Sequence, residues 1–157
     1  ARAFHPSWPG WKVIDKLKQN PAAFNVPGTP ALAEADAFVA AFYKANFWDR
    51  IAGDCLWPEL ADEMFDTGIN MGIGTVVRFL QQSLNLLNRG GSSWGDIVED
   101  GAFGPTTLRV TMAVPPVDWP CLVKLMNILQ GAHYIEIMRK NPTQEKYARG
   151  WLKRVSL

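Results

Sequence analysis

Acidic side chains recur at helical spacing between residues 58 and 71, where the sequence predicts a helix that begins at Pro58. Glu59, Glu63, Asp66 and Asn70 share one face of this helix, and the apolar or small residues Leu60, Ala61, Met64 and Gly68 share the other. Acids in a first helical turn are stabilised by the helix dipole. We therefore expect Glu59, Asp62 and Glu63 to lie on a solvated face, where they need no functional explanation. Asp66 and Asn70 lie beyond that turn, so the dipole does not account for them, and a role in a cleft is the alternative to a solvated face.

A pair of carboxylates could also do glycosidase chemistry, which needs about 5 Å between the groups for retention and about 6.5–9.5 Å for inversion. Glu63 and Asp66 are three residues apart on the helix and could satisfy the shorter spacing. We expect both to lie on a convex, wet surface, where neither pKa departs far from its ordinary value. The sequence therefore does not predict this pair as catalytic.

The elements that would position these residues are helical. Proline follows a capping or turn residue at Thr29-Pro30, Gly104-Pro105 and Asn141-Pro142. The loop from Gly90 to Gly104 is the longest connection, and Asp96–Phe103 could form one short hairpin. We predict an all-α, lysozyme-like helical bundle with helices at Trp8–Gln19, Pro30–Ile51, Pro58–Met71, Thr75–Asn88, Pro105–Ala113, Asp118–Lys140 and Pro142–Val155.

Composition and charge indicate which kinds of binding partner and site the sequence could have. The net charge is +1, but residues 1–75 hold 6 Lys/Arg against 9 Asp/Glu, whereas residues 76–157 hold 10 against 6. A basic second half favours anionic surfaces such as wall polymers, and an excess of this size does not indicate nucleic acid. No apolar run approaches the roughly 20 residues of a membrane span. Cys55 and Cys121 lack partners at metal-binding spacing, so we expect reduced core cysteines and neither metal nor cofactor.

The C-terminal segment concentrates part of this positive charge. Lys146, Arg149 and Lys153 recur along one side of the predicted last helix. The opposite side carries Ala148, Trp151, Leu152 and Val155. Cations near a helix C-terminus are favoured by the dipole, so a solvated basic face is one interpretation. Weak, charge-driven binding to an anionic wall is the other.

Five motifs, spread over more than a hundred residues, resemble those of the glycoside hydrolase 108 lysozymes, some of which are called secretion activator proteins. Tyr43–Trp48 matches the family's Y-x-x-x-[FY]-W element, and Asp66, Asn70 and Gly72 match its D-x-x-x-N-x-G element. A leucine-glutamine pair follows at positions 80 and 81. The segment DGAFGPTTL, residues 100–108, resembles the D-G-x-x-G-P-x-T-L of the peptidoglycan-binding domain appended to that family. KYARGWLKRV, residues 146–155, resembles its F-x-x-G-W-x-x-R ending, with Tyr147 replacing phenylalanine.

The resemblance implies an N-acetylmuramidase that cleaves the bond between N-acetylmuramic acid and N-acetylglucosamine in peptidoglycan. The family's catalytic glutamate lies in an E-G-G-Y motif followed by G-G-x-T-x-x-G-I, and neither motif occurs here. The opening ARAFHPSWPGW resembles the continuation of the second motif, and no glutamate precedes Glu34. We therefore expect a chain that lacks the general acid and is inactive alone, so its catalytic residue stays unknown. The alternative is a non-catalytic peptidoglycan-binding or secretion-accessory module.

The resemblance also suggests a division of labour. Residues 1–55 would be the C-terminal part of the muramidase catalytic region, and residues 56–157 a helical peptidoglycan-binding domain. Asp66, Asn70, Tyr43 and Trp48 would line the part of the cleft that holds the glycan strand. Peptidoglycan glycan strands are the expected partner, and nucleic acid is not. Without a signal peptide, the protein would be made in the cytoplasm and reach the periplasm or cell wall through a holin, as a phage endolysin does, or through a dedicated export route.

Overall fold

The computed structural model describes residues 5–22, 28 and 30–155 of the chain. These residues form α-helices joined by short 3₁₀ and π segments and contain no strand, which confirms the predicted all-α class. The α-helices are α1 (Trp11–Gln19), α2 (Pro30–Tyr43), α3 (Pro58–Met71), α4 (Ile73–Leu87), α5 (Pro105–Ala113), α6 (Trp119–Lys140) and α7 (Ala148–Leu152).

Proline marks the helix starts as the sequence predicts. Pro58 and Pro105 are the first residues of α3 and α5, where the missing N–H removes no intrahelical hydrogen bond. Asn141 caps the 3₁₀ segment Pro142–Tyr147 by accepting a hydrogen bond from the backbone N–H of Thr143 at 3.2 Å. The expected cap at Thr29 lies outside the described residues.

Two predicted helices are wrong in extent. The helix expected over residues 30–51 ends at Tyr43 and continues as a π segment, Lys44–Trp48, and a 3₁₀ turn, Asp49–Ile51. Ala52 then takes a left-handed conformation with φ +50°, which an α-helix does not accommodate. The last helix, expected from Pro142, is α-helical only over Ala148–Leu152, and Leu152, assigned to its apolar side, is 51% exposed.

The chain divides into two compact units, residues 1–46 and 47–157. In the first unit, α1 and α2 pack together through Val13, Leu17 and Ala35, with Ile14 and Phe38 at the edge of this small core. Trp8 contacts the ring of Trp11 edge-on, with 4.9 Å between the ring centroids.

In the second unit, α3, α4 and α6 pack against one another around an apolar core. The apolar stripe predicted for α4 is confirmed at Val76, Val77, Leu80 and Leu84, which are all fully buried. Leu60 and Met64 of α3 meet this stripe from one side, and the largest α6 contributors are Leu122 and Met126. Burial of each such side chain contributes roughly 1.5–3 kcal/mol to folding.

The hairpin considered for Asp96–Phe103 is absent. Asn85 of α4 instead takes the place of a partner strand, because its side chain accepts from the Ile97 N–H and donates to the Ile97 carbonyl oxygen, both at 2.9 Å. Arg78 donates to the carbonyl oxygen of Glu99 at 3.2 Å. The loop is therefore fixed to the side of α4 by side chains rather than by a second strand.

Both cysteines are free thiols, but the expectation that they lie in the core is wrong, since Cys55 and Cys121 are exposed. Cys55 ends a 3₁₀ turn, Gly53–Cys55, and Cys121 lies in the first turn of α6. Within residues 5–22, 28 and 30–155, no helix is both long and apolar enough to cross a bilayer.

Candidate functional site

A groove of about 690 Å³ opens in the second unit between α3 and α6. Acidic residues of α3 form one wall, and an aromatic and apolar stretch at the start of α6 forms the other. The residues around it are Trp57, Glu59, Asp62, Glu63, Asp66, Pro116, Trp119, Pro120, Val123, Lys124, Asn127 and Arg154.

Helical periodicity explains why the acids line this wall. Glu59, Glu63 and Asp66 follow one another at spacings of four and three residues, so they lie along one stripe of α3. The adjacent stripe carries Leu60 and Met64, whose burial in the core holds the acidic stripe against the edge of α6. The core packing therefore fixes which side chains reach the groove.

Glu63 is held by a hydrogen-bond network that joins the two helices. Thr67 Oγ1 donates to Glu63 Oε1 at 2.9 Å, and Asn127 Nδ2 donates to Glu63 Oε2 at 2.8 Å. Gln130 Nε2 in turn donates to Thr67 Oγ1 at 2.6 Å. Thr67, Asn127 and Gln130 are each about 1% exposed, so a buried network orients a carboxylate at the groove.

Burial raises the pKa of the Glu63 carboxyl, and the nearby negative charge of Asp66 raises it further, whereas the hydrogen bonds from Thr67 and Asn127 oppose the shift. The expectation of a convex, wet surface with ordinary pKa values is therefore wrong for Glu63. The reason is tertiary, because α6 covers the face of α3 that the isolated helix would expose to water.

The opposite wall is a fixed aromatic pair. The rings of Trp57 and Trp119 stack with 4.4 Å between centroids and only 6° between planes. Trp119 Nε1 donates to the carbonyl oxygen of Val114 at 3.0 Å, which prevents the ring from rotating freely. Trp57 is 8% exposed, and Trp119 is the more accessible of the two. A rigid aromatic surface loses little conformational freedom when a ligand packs on it.

One ion pair lies at the groove margin. Arg154 Nη1 contacts Asp66 Oδ1 at 2.6 Å, and this hydrogen bond raises the pKa of the arginine. The pair ties the segment after α7 to α3. No Lys or Arg of the described ranges lies within ion-pair distance of Glu59, Asp62 or Glu63.

The four residues predicted for the glycan cleft occupy different places. Asp66 lines the groove, whereas Asn70 is exposed one turn away and donates to the Asp66 carbonyl oxygen at 2.7 Å. Trp48 packs against Phe65 with 5.6 Å between ring centroids and donates from Nε1 to Asp54 at 2.8 Å. Tyr43 is 37% exposed at the end of α2, in the first unit.

Sequence reasoning missed Trp119 and Asn127 as groove residues. Asn127 lies 64 positions from Glu63, so no local pattern connects the two. The signal for Trp119 was present, because Asp118-Trp119-Pro120 predicts a helix start, but a helix start does not show what its first side chain faces.

The D-G-x-x-G-P-x-T-L segment has a structural role in this fold. Asp100 Oδ1 accepts from the Ala102 N–H and from Gln81 Nε2, both at 2.8 Å, and these bonds lower the pKa of Asp100. Gln81 Oε1 accepts from the Gly101 N–H at 2.8 Å. Gly101 has φ +75°, and a Cβ there would come within 2.5 Å of the Gly74 carbonyl oxygen. Glycine is therefore required where the loop crosses the start of α4.

Comparison with protein families gives two adjacent matches. The model described as a predicted peptidoglycan domain matches residues 75–156, more than half of the chain. The chain therefore belongs to the family of predicted peptidoglycan domains. The model of glycosyl hydrolase 108 matches residues 1–72, so the two matches together confirm the resemblance to a glycoside hydrolase 108 protein with a C-terminal peptidoglycan domain. No curated protein matches the chain significantly.

The groove draws residues from both matched regions. The acids of α3 and Trp57 fall within the glycosyl hydrolase 108 match, and Trp119 and the other groove residues of α6 fall within the peptidoglycan-domain match. Both helices nevertheless belong to the same compact unit, residues 47–157. In the described part of the chain, no group of three or more His, Cys, Asp or Glu side chains is arranged to hold a metal ion.

Proposed function

We propose that residues 47–157 bind peptidoglycan in the α3–α6 groove, as part of an N-acetylmuramidase of glycoside hydrolase 108 type. The observation that carries the proposal is the groove itself, with an oriented carboxylate facing a rigid tryptophan in a chain of the peptidoglycan-domain family. Amphipathic aromatic rings combined with fixed polar groups are typical of sites that recognise ligands of mixed polarity, such as sugars and peptides.

Glycoside hydrolase chemistry is a property of the family that residues 1–72 match, and the E-G-G-Y motif of that family is not among the 157 residues. We therefore propose that this chain by itself binds the wall without cleaving it, since loss of a general acid typically costs about 10²–10⁴-fold in rate. We also propose that residues 1–55 are the C-terminal part of the catalytic region and that residues 56–157 are the peptidoglycan-binding domain. The site of action would be the periplasm or the wall, reached through a holin or an export route.

Turbidity loss of outer-membrane-stripped Gram-negative cells tests the catalytic part. The 157-residue chain should be inactive, and a version extended at its N-terminus with an E-G-G-Y segment should lyse the cells. Equal lysis by both would contradict the proposed inactivity and would point to Glu63 and Asp66. Lysis by neither would favour the accessory-module alternative.

Co-sedimentation of the whole chain with purified sacculi tests the binding part. The basic side chains Lys146, Arg149 and Lys153 are all exposed and are available to anionic wall polymers. Their contribution should weaken between 0.1 and 1 M salt, because the screening length falls from about 10 Å to about 3 Å. Lys153→Gln should reduce binding at low salt only, whereas the control Lys16→Gln, in the first unit, should not. Undetectable binding at low salt would overturn the proposal.

A further inference from the structure

The acidic wall of the α3–α6 groove carries negative charges that neither the helix dipole nor an ion pair fully accounts for. Only Glu59 lies in the first turn of α3, so the expectation that the helix dipole also accounts for Asp62 and Glu63 is wrong. Glu59 also lies three residues before Asp62 and four before Glu63, at the spacings where like charges destabilise a helix. Three carboxylates thus line one cavity without an ion-pair partner among the described residues.

The carboxylate of Glu63 is held in a fixed orientation in which it could bind a cation. Thr67 and Asn127 hold both of its oxygens in place, and its partial burial makes the ionised form costly in the absence of a ligand. An ammonium group placed beside it would offset that cost, and the buried network means that little reorganisation is needed. A neutral sugar hydroxyl would leave most of the negative charge uncompensated.

The charges that could oppose a cation are limited. Arg154 is already paired with Asp66, which leaves Lys124 as the other cation among the described residues that line the groove. Residues 76–157 carry 10 Lys/Arg against 6 Asp/Glu, so the net charge of that part of the chain disfavours a cation. An anionic polymer, by contrast, would be repelled from the groove and drawn to the basic C-terminal side chains.

The aromatic wall suits the rest of such a ligand. Trp119 is fixed by its stack on Trp57 and by its hydrogen bond to Val114, and Pro116 and Val123 extend the apolar surface beside it. Alkyl and peptide groups pack on surfaces of this kind, and tryptophan also attracts ammonium groups through its ring face.

We propose that Glu59, Asp62 and Glu63 bind the free primary ammonium of a peptidoglycan stem peptide, while Trp119 and its apolar neighbours contact the stem. This inference rests on the proposed function, because it assumes that the groove faces the wall. It assigns the groove to the peptide part of peptidoglycan rather than to the glycan strand.

The test compares binding of the whole chain to three preparations of Gram-negative sacculi. These are untreated sacculi, sacculi whose amines have been acetylated, and glycan strands freed of stems by an amidase. Acetylation removes the ammonium and makes the wall more anionic, so the basic side chains alone would then bind more tightly. We expect acetylation and stem removal each to weaken binding by about tenfold, the effect of one lost charge-assisted contact.

Variants assign the effect to the groove. Glu63→Gln and Asp62→Asn should weaken binding to untreated sacculi and leave binding to acetylated sacculi unchanged. Glu34→Gln removes the same charge from an exposed position in the first unit, away from the basic C-terminal side chains in sequence, and should change neither. Asp62 is exposed, so its variant tests the site even if Glu63→Gln disturbs the network.

The outcomes separate the two proposals. Equal binding to untreated and acetylated sacculi would overturn the ammonium site and leave wall binding intact. Tight binding to stem-free glycan would assign the groove to sugar instead. No binding to any preparation would overturn the proposed function itself.

Discussion

Glu63 and Asp100 carry the same chemical group, a carboxylate, in two different environments of the same unit. Both carboxylates accept hydrogen bonds from uncharged donors, yet the pKa of Glu63 is raised and that of Asp100 is lowered. Asp100 is exposed and accepts from a backbone N–H and from Gln81, so hydrogen bonding dominates. Glu63 lies partly under α6, so desolvation dominates. The hydrogen bonds of Asp100 stabilise the fold of its loop. Glu63 in the groove has no ion-pair partner among the described residues.

The largest effect should come from Gly101→Ala in the Asp100 loop. A left-handed residue with a Cβ costs roughly 1–2 kcal/mol, and the clash with the Gly74 carbonyl oxygen adds about 1–3 kcal/mol. We expect a loss of about 3 kcal/mol or more in the free energy of unfolding, measured by urea denaturation. Gly104→Ala is the matched control, because a Cβ there meets nothing within 4 Å. If the two variants were equally stable, the structural role proposed for the loop would be contradicted.

Gln81→Leu should have the next largest effect. Gln81 is 1% exposed and contacts Asp100, Gly101 and Ala102 through its amide. Leaving those groups without partners should destabilise the protein by about 1–3 kcal/mol, with unchanged affinity for sacculi per folded molecule. Gln82→Leu, its half-buried neighbour, serves as the control. A selective loss of wall binding in Gln81→Leu would show that the loop contributes to recognition as well.

The two carboxylates should affect the pH dependence of stability in opposite directions. The folded state binds the Glu63 proton more tightly than the unfolded state, so lowering the pH from neutral through its raised pKa toward 4.5 should stabilise the protein. Asp100 has a lowered pKa, so its contribution is present above 3.8 and is lost as the pH falls below that value.

Urea denaturation across this pH range measures both effects. Glu63→Gln should flatten the rise between neutral pH and 4.5, and Asp100→Asn should reduce the fall below 3.8. The comparison between the two regions is wrong if each variant changes the curve in the other's range.

The smallest effect should come from the groove margin. The Asp66–Arg154 pair is exposed on both sides, so Asp66→Asn should cost at most about 1 kcal/mol of stability. Asn70→Ala should cost less still, because the Asn70 amide contacts only the backbone of its own helix. If Asp66→Asn weakens binding to sacculi and Asn70→Ala does not, the groove boundary lies between these two residues. A larger effect of Asn70→Ala would instead support the glycan cleft predicted from the family motif.

Much of the fold was determined by local sequence. Pro58, Pro105 and Pro142 start their elements as predicted, since proline favours a first helical position whatever surrounds it. The apolar stripe of α4 likewise required only helical periodicity, because burial of Val76, Leu80 and Leu84 follows from their spacing. The motifs also identified the family, because motif residues and their spacing can be read from the sequence without any knowledge of tertiary contacts.

The environment of each acid was decided by tertiary structure alone. Local pattern placed Glu63 and Asp66 on one face of α3, but only the packing of α6 buries the first and leaves the second paired with Arg154. The partners lie 64 and 88 positions away along the chain. A pKa depends on desolvation and on charges within a few ångströms, and these distances exist only once the helices have packed.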